Sequence, residues 1–94
     1  MNNDVKLQFD MTIAGLAGNP YGQKIFKEQV KSKVDESKRI TVVFPNHIER
    51  ISSSFVQGFF SEWINQHGID WIVNNVALQA KDSELCDWIV KNLK

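Results

Sequence analysis

Three consecutive serines, Ser52, Ser53 and Ser54, stand directly before an aromatic run in ERISSSFVQGFF, residues 49–60. Hydroxyls at a helix start can accept a backbone N–H and cap the helix. They can also carry a phosphate, which would meet free N–H groups and the positive end of the helix dipole. Ser54 followed three residues later by Gln57 has the spacing of a capping box. On that reading Ser53 is the more reachable hydroxyl for modification or partner contact. A second candidate is IAGLAGNPYG, residues 13–22, whose Gly15, Gly18 and Gly22 surround the start of a helix. N–H groups before a helix bind anions. The stretch has neither the Walker lysine pattern nor a complete GxGxxG, so a flexible connection competes with an anion loop there.

The other reactive side chains do not combine. His47 and His67 are far apart, and no spacing joins them to carboxylates or to Cys86 as a metal site. Cys86 lies at an apolar position of an amphipathic segment, where a small buried hydrophobe is the common outcome; a Cys–His nucleophile pair is the catalytic alternative. The expectation is a non-enzyme with no catalytic residue, no metal and no cofactor.

Composition narrows the partners. Eleven basic residues balance eleven acidic ones, which argues against a large phosphate-neutralising surface and so against nucleic acid. No apolar run approaches the ~20 residues that a membrane span needs. One cysteine cannot form an internal disulfide, which suits a reducing, cytoplasmic setting. The polar, acidic start MNNDVKLQFD does not read as a leader.

The elements that must position the serines follow from periodicity. Residues 4–12 alternate, with Val5, Leu7, Phe9 and Met11 on one face, which predicts a half-buried edge strand for which an antiparallel pairing is open. Pro20 suits a first helical turn, and a helix should run from about Tyr21 to Val34 with Ile25, Phe26, Val30 and Val34 inward. The β-branched run ITVVF, residues 40–44, predicts a central strand buried on both faces. Ile48 and Ile51 should tuck inward from the following loop. The second helix should end near Gly68, with Val56, Phe59, Phe60, Trp63 and Ile64 at helical spacing. With Phe55 they span more than one narrow stripe, so either the helix is deeply buried or part of this surface, Phe55 and Phe59, serves an interface. IDWIVNNV, residues 69–76, reads as a third strand. Asp82 or Ser83 should cap a last helix. The order β-α-β-α-β-α, in one domain over residues 1–94, predicts an α/β fold with helices packed on a mostly parallel or mixed sheet.

The segment ITVVFPNHIERISSSFVQGFF resembles the STAS-like α/β domains of unknown function found in bacteria and their mobile elements. They share its hydrophobic strand, short turn, Ile-Ser-Ser-Ser-Phe type motif and amphipathic helix. More distantly it is similar to the STAS domains of anti-sigma-factor antagonists, in which an Asp-Ser-Ser-Gly type turn begins a helix and a serine is phosphorylated by a partner kinase. Carried over by position, Ser52 stands where those domains have Asp, Ser53 and Ser54 match their serines, and Phe55 replaces their Gly. The resemblance implies a regulatory module that binds a protein partner, a kinase-like regulator among the candidates, and is switched by serine phosphorylation. Two alternatives stay open: a small ligand or nucleotide binder using the loop 14–22 and the serine-capped helix, and a phage or mobile-element inhibitor of a host complex. Self-association into a homodimer is compatible with each.

Overall fold

A computed structural model describes residues 3–94; Met1 and Asn2 lie outside the described residues. The elements in order are β1 (Asp4–Lys6), β2 (Gly15–Leu16), α1 (Asn19–Gln29), β3 (Ile40–Val43), β4 (Arg50–Ile51), α2 (Ser53–His67), α3 (Ile69–Asn75), β5 (Val76–Gln79) and α4 (Ser83–Lys91). The β-branched run in β3 does form the central strand of a three-stranded sheet ordered β1-β3-β5, and both of its ladders are parallel. β2 and β4 form a separate two-residue parallel pair. The described residues thus form a small α/β domain with a parallel sheet and four helices.

Register shows how the sheet is covered. Val5, Val42 and Leu78 stand side by side, as do Ile40 and Val76. Of these only Leu78 is not buried. Phe44 continues this face and reaches Phe59 of α2, with ring centroids 5.9 Å apart. The opposite face carries Asp4, Lys6, Thr41, Val43, Ala77 and Gln79, and none of them is buried. The central strand is therefore covered on one face only. The expectation of burial on both faces fails because the described helices that the crossovers supply, α1 and α2, pack against each other on one side.

α1 and α2 run in the same direction, as crossovers of a parallel sheet require. Their contacts climb both helices together, from Tyr21 on Phe55 to Phe26 on Phe59 and Trp63, and just beyond the end of α1 Lys31 pairs with Glu62. Two glycines let the backbones meet. A Cβ on Gly22 would sit 2.6 Å from the Phe59 nitrogen, and one on Gly58 would sit 2.8 Å from the Asn19 carbonyl carbon. The buried side chains, including Ile25, Phe26, Val30, Phe55, Val56, Phe59, Phe60 and Trp63, form one cluster.

Several expected elements differ. The first strand ends at Lys6, because Gln29 takes both backbone groups of Gln8 and Asp10 folds back on Thr12 in an Asx turn. Met11 is exposed, and β1 is an edge strand but a parallel one. α1 stops at Gln29 rather than Val34. Residues 69–75, expected as strand, are the helix α3, with Asp70 in its first turn and Ile72 buried; the strand begins only at Val76. Pro20 does stand in the first turn of α1, Ile48 and Ile51 are buried, and Asp82 caps α4 through a 2.9 Å bond from the Leu85 N–H.

Candidate functional site: the joined starts of the first two long helices

The two-residue ladder between β2 and β4 draws two chain segments together just before each enters a helix. The Ser52 N–H donates to the Leu16 carbonyl at 2.8 Å. One strand then leads through Ala17 and Gly18 into α1, the other through Ser52 into α2. Both helix N-termini end up at the same edge of the molecule.

Each serine has a separate position there. Ser52 is the N-cap of α2: its backbone is extended (φ −74°, ψ 157°) and its Oγ accepts the Phe55 N–H at 3.1 Å. The cap is thus Ser52, not the expected Ser54, and Gln57 makes no return bond to it among the described residues. The ladder separates the serines: Ser52 is still bonded to Leu16 and extended, so the helix starts after it and the Phe55 N–H falls at the third helical position that a cap reaches. Ser54 lies in the first turn. Its Oγ accepts the Gly18 N–H at 3.2 Å and lies 3.0 Å from the Ser52 Oγ, so it ties the start of α2 to the start of α1. Ser53 is the first helical residue, is exposed, and its hydroxyl has no partner among the described residues.

Between deep burial and an interface, the two alternatives for Phe55 and Phe59, the structure has both residues fully buried. Phe59 touches Phe26, Phe44, Phe55 and Phe60 within 6 Å between ring centroids. They belong to the core, and the broad aromatic stripe of α2 reflects deep burial. Gly15, Gly18 and Gly22, the alternative anion loop, have separate roles. Gly18 gives its N–H to Ser54, Gly22 gives its N–H to the Gly18 carbonyl at 3.0 Å and is buried against α2, and Gly15 is in a strand beside Arg50. Gly18 is needed for another reason: its φ of 98° favours a residue without Cβ.

Two contributors around the site were not apparent in the sequence. Arg50, within the stretch read as a loop, belongs to β4; it is exposed and shares a shallow groove with Gly15, Leu16, Ala17, Ile51 and Ser52. Trp88 of α4 donates its indole N–H to the Ile51 carbonyl at 2.6 Å and so straps α4 to the residue before the cap. A two-residue strand leaves no periodicity to read, and only the fold brings Trp88 to Ile51.

The histidines sit apart. His47 Nε2 meets the Asp10 carbonyl at 3.2 Å, whereas His67 pairs with Glu36 at 2.9 Å and stacks on Trp71. Glu36 also accepts the indole N–H of the buried Trp63. No group of three or more His, Cys, Asp or Glu residues is placed to hold a metal ion among the described residues. Burial pushes the Cys86 thiol up from its ordinary value, and its Sγ lies 3.5 Å from the Leu78 carbonyl. No helix among the described residues is long and apolar enough to cross a membrane.

A parallel sheet with helices crossing on one face, and a serine turn at the start of the second crossover, is consistent with a STAS-like fold. The model of the family described as STAS-like domain of unknown function (DUF4325) matches residues 21–77. That span is more than half of the chain and runs from α1 to the start of β5, serines included. The chain belongs to that family. No curated protein and no solved structure matches it.

Proposed function

We propose that the chain is one STAS-like regulatory domain that acts in the cytoplasm without catalysis. It binds a protein partner through the surface around the start of α2, and phosphorylation of Ser53 switches the contact. The observation that carries this reading is the division of labour among the serines. Ser52 is occupied by the cap and Ser54 by Gly18, while Ser53 is exposed in the first turn and its hydroxyl has no partner among the described residues. A serine N-cap makes the bond that the Asp of anti-sigma-factor antagonists can make at the same place, since either oxygen accepts an N–H. The loss of that Asp therefore leaves the helix start intact. A phosphate on Ser53 adds about −1.5 to −2 charge beside free N–H groups and the positive helix end. Arg50, in the groove next to Ser52, is the nearby cation on β4. The new charge would change the surface that a partner meets while leaving the core beneath it in place.

Partner capture with variants tests this. Ser53→Ala should retain the partner, and Ser53→Glu should weaken capture at least about tenfold, the effect of ~1.4 kcal/mol of interface repulsion. A partner held equally by wild type and Ser53→Glu would remove Ser53 from the contact. The anion-binding reading is not favoured, because the N–H groups of Gly18 and Gly22 already have partners.

A further inference from the structure

The outer side of β1 is bare over two residues, and the pattern of its backbone is self-complementary. The Thr41 N–H donates to the Asn3 carbonyl at 3.1 Å and the Leu7 N–H to the Val43 carbonyl at 2.9 Å. Odd-numbered residues of β1 therefore face β3. Alternation turns the N–H and C=O groups of Asp4, Lys6 and Gln8 outward. Gln8 is closed off by a side chain: its N–H donates to Gln29 Oε1 at 2.7 Å and its carbonyl accepts from Gln29 Nε2 at 2.9 Å. The outward groups of Asp4 and Lys6 have no partner among the described residues. An open edge is a template for strand pairing.

We propose that this edge pairs with the same edge of a second copy, antiparallel, about a two-fold axis at Val5. Asp4 of each copy then faces Lys6 of the other, and each such pair exchanges both backbone hydrogen bonds. The side chains of Asp4 and Lys6 share the open face of the sheet and are exposed, so the pairing also sets opposite charges across the strands. Neighbouring registers are excluded by the same residues. A shift one way puts Asp4 against Asp4; a shift the other way puts Lys6 against Lys6 and Asp4 against Gln8, whose groups Gln29 already holds. The result is one continuous sheet with the helices of both copies on the same side, closed by isologous symmetry. A contact this short makes a weak dimer.

Sedimentation velocity across concentrations up to about 1 mM, a range that reveals weak dissociation constants, tests the edge and its register together. Wild type should dimerise with concentration. Asp4→Lys and Lys6→Asp should each weaken the dimer about tenfold, because two symmetry-related pairs turn from attraction to repulsion. The double swap should restore it. Lys6→Pro, which removes an outward N–H together with the lysine charge and suits an edge strand, should abolish the dimer while circular dichroism stays unchanged. A monomer at every concentration overturns the proposal, as does a dimer indifferent to Lys6→Pro. Failure of the double swap to restore the dimer overturns the register.

Discussion

The close crossing of α1 and α2 sets where the serines sit, and Gly58→Ala tests it with a sign that can go either way. Gly58 is inside α2, where alanine is favoured over glycine by about 1 kcal/mol in an exposed helix. The added methyl would lie 2.8 Å from the carbonyl carbon and 2.9 Å from the Cα of Asn19, and closer still to the carbonyl oxygen. These are backbone atoms at the start of α1, and no rotamer change relieves the overlap. Overpacking of this kind costs about 1–3 kcal/mol, at its upper end when backbone must move, so the balance should be a loss of about 2 kcal/mol after the gain in propensity. For a chain of this size that is a fall of roughly 10 °C in Tm. Urea and thermal unfolding followed by circular dichroism read it directly. A Gly58→Ala protein about 1 kcal/mol more stable than wild type would refute the close crossing, because the propensity gain would then be unopposed.

The same geometry yields other expectations. Ser52→Ala should cost about 1 kcal/mol through loss of the cap, whereas Ser52→Asp should be tolerated because a carboxylate caps at least as well; Ser53→Ala should stay within about 0.5 kcal/mol of wild type in urea unfolding. Asp82 titrates below its ordinary value of 3.8, held down chiefly by the Leu85 N–H and then by Lys81. A depressed folded-state pKa contributes stability that is present above the unfolded value and lost as pH falls through the folded one. The stability difference between wild type and Asp82→Asn should accordingly be present at neutral pH and fade below pH 3.8; a difference that does not change with pH would contradict the assigned charge state.

What could be read from the sequence was what local chemistry dictates. Pro20 marks the first turn of α1, the β-branched run marks the central strand, and Asp82 marks the cap of α4. The serine turn was legible as a helix start but not in its details. All three serines are competent caps, and the choice of Ser52 depends on where the pairing with Leu16 ends and the helix begins. Residues 69–75 misled for a related reason: apolar and β-branched residues suggest a strand, yet Ile69 and Ile72 have helical spacing and Trp71 finds a stacking partner in His67. The roles of Phe55 and Phe59 depended on the depth of the aromatic core. Gly22 reads as loop chemistry until Gly58 is seen close to the same crossing. Arg50 and Trp88 come to the site only through β4 and the α4 strap.

The most direct measurement is site-resolved mass spectrometry of the protein isolated from its native host together with what it binds. The account predicts a phosphate on Ser53 and none on Ser52 or Ser54, whose oxygens are engaged by the Phe55 and Gly18 N–H groups. A phosphate on Ser52 or Ser54 with Ser53 bare, or a partner-bound pool and a free pool that are both unmodified, would contradict it.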